Sequence, residues 1–192
     1  MLGSVIVPNP VKQGYIFQGW ELGADTYDKN DPDTKFVGTD LVLGIGTVGA
    51  LNLSAKWEAS PNTKYTVKHL LQDVEGDGYT EDESLREEMS GTTGADTAAA
   101  AKSLTGFTAQ PFEQVKIAAD GTAVVEIKYN RNTYTVTYKV TGEHFAADPY
   151  GTPQTDVRYG AALTLIPDNM AKAGYEWSGW SGLPATMPAG DV

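Results

Sequence analysis

The sequence predicts an α+β fold built from small, strand-rich modules arranged end to end. Three observations carry that prediction. The phrase Asn9-Pro-Val-Lys12-Gln-Gly14-Tyr15-Ile-Phe17-Gln-Gly19-Trp20 returns as Asn169-Met-Ala-Lys172-Ala-Gly174-Tyr175-Glu-Trp177-Ser-Gly179-Trp180, and self-similarity at this spacing marks repeated units, not one large domain. Apolar and polar residues alternate with period two in Tyr65, Val67, His69, Leu71 and in Tyr134, Val136, Tyr138, Val140, the pattern of half-buried strands. Between those two runs, turn and cap signals read as strand, strand, short helix, then further strands.

The middle module, 60–131, is read in order. A strand at 64–71 leads through a polar loop to a second strand near 84–90. Gly91 and Gly94 bound a turn, Asp96 and Thr97 are candidate N-caps for a helix Ala98 to Ser103, and Gly106 ends it. A third strand starts near Phe107. Val115 to Ala118, the Asp120-Gly121 turn and Thr122 to Tyr129 read as a hairpin, because Asp-Gly supplies the positive φ of tight hairpin turns. The third module, 132–192, starts with a strand at Thr133, continues with a strand near 154–158 and a helical turn near 168–172, and ends with a strand over Gly174 to Trp180. The first module, 1–59, reads as the back half of such a unit, with strands at Gly14–Trp20 and Leu51–Trp57. Only Asn130-Arg131-Asn132 separates modules two and three, and three residues span at most roughly 10 Å, so little freedom is expected there.

Composition narrows function. Net charge is −11, and Lys and Arg are scattered singly, which disfavours nucleic acid and anionic lipid. The longest apolar stretch, Leu41 to Leu53, holds three glycines and is too short for a transmembrane helix, so no membrane insertion is expected. The N-terminal residues have no basic n-region and no cleavage-like site; they read as a start inside a longer protein. Cysteine is absent, which excludes disulfides and fits either a reducing compartment or an extracellular protein that avoids thiol chemistry.

Pro-x-x-Lys12-x-Gly14-Tyr15-x-Phe17-x-Gly19-Trp20, closed by Leu51-x-Leu53-x-Ala55-Lys56-Trp57, resembles the Listeria–Bacteroides repeat, also called the internalin B-repeat. Lys64-Tyr-Thr-Val-Lys68 with Gly91-Thr-Thr-Gly94, Gly106-Phe107 and Asp120-Gly121 resembles mucin-binding-protein-like repeats, and 182–192 resembles the end of surface repeats of the same broad group. The resemblance implies β-grasp-like (ubiquitin-like) modules, a secreted protein at the bacterial surface held to the wall through its parent chain, and a non-enzymatic stalk or adhesion role. The alternative it implies is a module that binds a host glycan or host protein; a shared fold does not by itself carry a ligand.

Each motif with chemical potential has a plainer explanation. On a strand Tyr15, Phe17 and Gly19 share one face, while Ile16, Gln18 and Trp20 share the other, so the repeated aromatics read as core, not as a sugar-stacking platform. Glycine at 19 and 179 is expected to let a neighbour pack closely. Gly44-Ile-Gly46-Thr-Val-Gly49 is a formal dinucleotide fingerprint, but a strand-like Leu51-Asn-Leu53 follows where a helix must start, so no cofactor is expected. Asp73-x-Glu75-x-Asp77-Gly78-Tyr79-x-Glu81 almost spells a calcium loop, but Ser84 stands at the twelfth place and no metal is expected. Its carboxylates lie on a hairpin tip and offer no cleft for glycosidase chemistry. His69 and His144 fall in different modules and cannot share a metal within one of them; His69 is read as an inward packing residue. Asn52-Leu-Ser54 is a formal glycosylation sequon with no expected role. No catalytic constellation is visible, so the chain is read as no enzyme. The edges of the terminal modules, Gly14–Trp20 and Leu51–Trp57, are expected to favour strand-to-strand self-association.

Overall fold

The computed structural model describes residues 5–22, 35–37, 40–43, 52–139, 152–164, 174, 176 and 178–192. In chain order the strands are β1 (Val5–Val7), β2 (Tyr15–Leu22), β3 (Lys35–Val37), β4 (Asp40–Leu43), β5 (Leu53–Ala59), β6 (Thr63–Gln72), β7 (Tyr79–Glu81), β8 (Glu87–Gly91), β9 (Phe107–Ala109), β10 (Val124–Arg131), β11 (Thr133–Val136) and β12 (Gln154–Arg158). The chain divides into two compact units: Met1–Val67 with Glu87–Ala99 and Gln114–Val125, and Lys68–Arg86 with Ala100–Glu113 and Glu126–Val192. A five-stranded sheet runs in the order β7-β6-β10-β9, with β8 also paired to β6; β6 and β10 contribute residues to both units.

In the first unit β1, β4 and β3 form an antiparallel sheet, and β2 pairs antiparallel with β5 from Tyr15↔Ala59 to Leu22↔Leu53. The β2–β5 register shifts between Phe17 and Gly19. That bulge corrects the expected alternation. A one-residue slip reverses the faces beyond it, so Trp20 joins the Phe17 side and its ring lies 5.5 Å from Phe17, edge to face. Ile16 and Gln18 remain outside, and Gln18 donates to the Glu58 carboxylate at 2.6 Å. The core of this unit gathers Tyr65, Val67, Ile117, Ala123 and Val125. Antiparallel β8 rides on the first half of β6, from Thr63↔Gly91 to Val67↔Glu87.

In the second unit the far end of β6 pairs with β7 (Leu70↔Glu81 to Gln72↔Tyr79), and β10 pairs with β9 (Tyr129↔Ala109 to Arg131↔Phe107). His69, Ile127 and Tyr129 are fully buried, and the His69 ring nitrogen Nδ1 lies 2.7 Å from the Tyr129 hydroxyl. β11 and β12 form an irregular antiparallel pair over a cluster of Val136, Tyr138 and Met187. Trp180 packs edge to face on Tyr138 at 4.8 Å. β11 ends at Val136, short of the expected Val140, and the expected strand at 174–180 is not formed at its described residues.

No α-helix occurs among the described residues; the one helical element is a 3-10 turn, Glu83–Leu85. The expected α+β class is therefore corrected to a strand-rich β structure. The expected helix Ala98 to Ser103 is irregular chain. Its backbone donors already have side-chain acceptors. Ala98 N–H donates to the Tyr65 hydroxyl at 3.1 Å, Ala99 N–H to Gln114 Oε1 at 2.9 Å, and Lys102 N–H to the Tyr129 hydroxyl at 2.8 Å. Thr97, the expected cap, donates its hydroxyl to Gln114 Oε1 at 2.7 Å. Six residues gain few internal helix bonds against a costly nucleus, so the fixed acceptors win. The expected helical turn at 168–172 lies outside the described residues.

The expected hairpin around Asp120-Gly121 is also corrected. The turn forms, with Gly121 at φ +77 and its N–H on the Ala118 carbonyl at 2.9 Å. Yet β10 then pairs with β6 and β9, while Lys116 bridges Asp96. Burying Val125, Ile127 and Tyr129 requires a partner on each side of the strand, and that outweighs the nearest-neighbour pairing.

Glycine requirements follow the backbone. Gly19 and Gly179 sit at φ +124 and +97, with nothing within 4 Å of where a Cβ would stand. They serve a left-handed backbone, not the close packing expected of them. Gly106 has both constraints: φ is +77 and a Cβ would fall 2.3 Å from the Tyr159 ring. Gly94 shares only the positive φ, +79, in open space. Gly106→Ala should therefore lose clearly more stability in chemical denaturation than Gly94→Ala, which should lose about 1–2 kcal/mol. Equal losses would mean that the Tyr159 ring moves aside freely.

Candidate functional site

The acidic hairpin joins β6 to β7 and is the nearest thing to a ligand loop among the described residues. Asp73 N–H donates to the Gly78 carbonyl at 2.9 Å, and Thr80 Oγ1 donates to Asp73 Oδ1 at 2.8 Å. Carbonyls that a calcium loop would aim at an ion converge instead on a guanidinium. Arg158 Nη1 donates to the Val74 carbonyl at 3.2 Å and to the Gly76 carbonyl, with the Asp73 carbonyl at 3.5 Å. Its Nη2 pairs with Asp77 Oδ1 at 3.1 Å. The loop thus holds a cation supplied by β12. Among the described residues no group of three or more His, Asp or Glu is placed to hold a metal ion.

Next to this loop, Glu81 takes Arg86 Nε at 2.7 Å and Lys68 Nζ at 3.3 Å. The Arg86 hydrogen bond, helped by Lys68, holds its carboxyl below the usual range in spite of some desolvation. Asp120 is lowered by its hydrogen bonds from Thr122, side chain first and then backbone.

The aromatic phrase builds a half-buried stripe. Phe17 stacks edge to face on Trp57 at 5.4 Å as well as on Trp20. Lys12 Nζ lies over the Tyr15 ring, 3.9 Å from its centroid, and 5.8 Å from the centroid of Trp57. The rings are thus engaged with one another and capped by the lysine, an arrangement for packing. The Gly14 backbone meets the 119–121 turn: a Cβ there would stand 2.5 Å from the Ala119 carbonyl oxygen. The Gly14 carbonyl accepts from Thr93 Oγ1 at 2.7 Å and from Ser60 N–H at 2.9 Å, and Gln13 Nε2 donates to the Asp120 carbonyl at 3.2 Å. An open cleft of about 320 Å³ lies here, bordered by Gln13, Ser60, Asn62, Lys64 and Asp120. These contacts were not legible in sequence: Thr93 lies in the Gly91-Thr-Thr-Gly94 phrase, but nothing in that phrase points to Gly14, and Ala119 belongs to no motif.

The remaining candidates are dispersed. His69 is wholly buried, beyond the half-burial expected of it. His144 and the glycine-rich 44–49 segment lie outside the described residues, as do Tyr175 and Trp177. Asn52 and Ser54 of the sequon are exposed at the start of β5. No helix among the described residues is long and apolar enough to cross a membrane.

Among the described residues these features define a strand-rich chain whose acidic hairpin is filled by its own arginine. The family model of the Listeria-Bacteroides repeat domain matches residues 3–43 and 134–183, the two stretches that carry the duplicated phrase or its surroundings. Repeats of that family are found in bacterial surface proteins. No curated protein matches the chain, and no solved structure does.

Two outcomes are expected. Millimolar calcium should shift the melting temperature by no more than a couple of degrees, because a ligand that binds the native state must raise stability and Arg158 already fills the loop; a larger rise reversed by chelator would contradict this. Glu81 is depressed in the folded state, so its contribution is complete above the usual Glu value of about 4.3 and is lost as pH falls through the lower folded value. Glu81→Gln should therefore flatten the acid limb of the stability curve below about pH 4.3 and leave its neutral-to-alkaline slope unchanged.

Proposed function

We propose that this chain is a non-enzymatic stalk or adhesion repeat region of a secreted bacterial cell-surface protein, held to the wall through its parent chain. The observation that carries this reading is the family match at both 3–43 and 134–183, joined by a segment in which β6 to β10 form one sheet. Three successive modules, 1–59, 60–131 and 132–192, fit the two copies of the phrase and the sheet between them. The order β7-β6-β10-β9 supports a β-grasp reading of the middle module. Ala123 bonds beside Thr66 and Arg131 bonds beside Gln72, so β6 and β10 run the same way, as the two central strands of that fold do. In this reading the irregular 98–105 segment stands where the helix of a β-grasp domain would lie.

Short connections suit a spacer. One residue, Asn132, separates β10 from β11. Its N–H donates to the Gly106 carbonyl at 2.9 Å and its carbonyl accepts from Tyr159 N–H at 2.8 Å. Arg131 donates from Nε to the Gln72 carbonyl at 2.6 Å and from Nη1 to the Tyr159 carbonyl at 2.9 Å. A connection bonded on both sides resists bending, which a projecting element requires. The mutual packing of Phe17, Trp20 and Trp57 favours this role over a host-glycan or host-protein site built on the aromatic stripe.

The test displays the chain on a bacterial wall between an anchor and an outer epitope, in one, two or three copies. Antibody access to the epitope through the cell-surface polymer should rise with copy number, and soluble chain should show no saturable binding to mucin. Access independent of copy number, or saturable mucin binding that Tyr15→Ala and Trp57→Ala abolish, would overturn the stalk reading in favour of a ligand-binding module.

A further inference from the structure

We infer that β6 and β10 form a load-bearing clamp: a parallel strand pair that the chain enters and leaves at opposite ends, so that tension along the backbone is carried in shear. The inference deepens the stalk reading and rests on it for its biological setting; the mechanics rest on topology alone.

The chain enters the central sheet at Thr63, the first residue of β6, and leaves it at Arg131, the last residue of β10. The two strands are neighbours in the sheet and run in the same direction, Ala123 bonding beside Thr66 and Arg131 beside Gln72. Pulling the start of one against the end of the other slides them past each other. Every bond between them is then strained together, whereas peeling from one end breaks bonds in succession. Forced unfolding is governed by the height of the barrier to that first rupture.

Side chains reinforce the sliding plane along its length. Tyr65, Val67 and His69 on β6 and Val125, Ile127 and Tyr129 on β10 are all buried to within 2% exposure, so sliding would drag each set of apolar groups out of its sites. Near the entry end, Thr66 N–H donates to the carbonyl of Ala123, the residue just before β10, at 3.0 Å. At mid-strand the His69 ring and the Tyr129 hydroxyl join the pair at 2.7 Å. At the exit end Arg131 bonds Gln72 twice, through its backbone N–H to Oε1 at 3.0 Å and through Nε to the carbonyl at 2.6 Å. Ties at entry, middle and exit are what a shear-loaded joint needs; a pair built only for stability would be served by its core alone.

The absence of cysteine makes the test direct. In the full chain, Asn62→Cys with Thr133→Cys attaches handles at the entry and exit, and Asn62→Cys with Thr122→Cys attaches them at the starts of both strands; all three positions are exposed. Single-molecule pulling should give a rupture force severalfold higher for the 62/133 pair, which shears β6 against β10, than for the 62/122 pair, which peels them apart. Melting temperatures equal to the parent's show that both variants keep the fold, and Val124→Cys, also exposed, replaces Thr122→Cys if that substitution disturbs the turn. Equal forces in the two geometries, or a higher force on peeling, overturn the clamp. The surface-display result does not bear on this contrast, so the clamp and the stalk reading can fail separately.

Discussion

The structure depends most on the burial of alternate residues along β6 and β10. Tyr65, Val67 and His69 on β6 and Val125, Ile127 and Tyr129 on β10 are the side chains that these two neighbouring strands bury. Apolar area removed from water contributes about 25 cal/mol per Å², and these are the largest side chains taken fully out of solvent in the sheet. Everything else is arranged around that pairing. β7 and β8 cover the free side of β6 in two pieces, β9 borders the end of β10, and the Asp120-Gly121 turn delivers the chain into β10 without pairing it to the segment before the turn.

Two buried tyrosines then settle the segment that follows β8. A phenol in an apolar interior must find hydrogen-bond partners, and both Tyr65 and Tyr129 find them in backbone N–H groups between 98 and 102. Gln114 does the same for Ala99 on both its N–H and its carbonyl, at 2.9 and 2.8 Å. The segment is irregular, and side chains of Tyr65, Gln114 and Tyr129 take its backbone groups at intervals. An alanine-rich run with good helix propensity is thereby held out of the helix, a case of tertiary contacts overriding local preference.

Much of the strand content was legible. The period-two runs located β6 and the start of β11, and the polar loop after β6 was rightly read as a hairpin tip. What failed did so for identifiable reasons. Helix propensity at 98–103 gave no hint of the tyrosine hydroxyls, which are far away in sequence. Strict alternation through Gly19 hid the bulge that turns Trp20 inward, although a glycine in an otherwise regular strand is itself a bulge signal. The Asp-Gly turn was identified correctly but its flanks were paired wrongly, because turn chemistry fixes where the chain reverses and not which strand it meets next. At the candidate loop, the missing twelfth ligand was visible in sequence; Arg158, about eighty residues away, was not.

That arginine changes what kind of object the acidic loop is. A carbonyl-lined loop that waits for a dissolved ion is ordered only when the ion is abundant, and it follows every fluctuation in the surrounding medium. Here the positive charge is covalently attached through β12, so its local concentration is set by the length of the polypeptide, not by the solution. It cannot be chelated or diluted. The loop has in effect exchanged sensing for constancy.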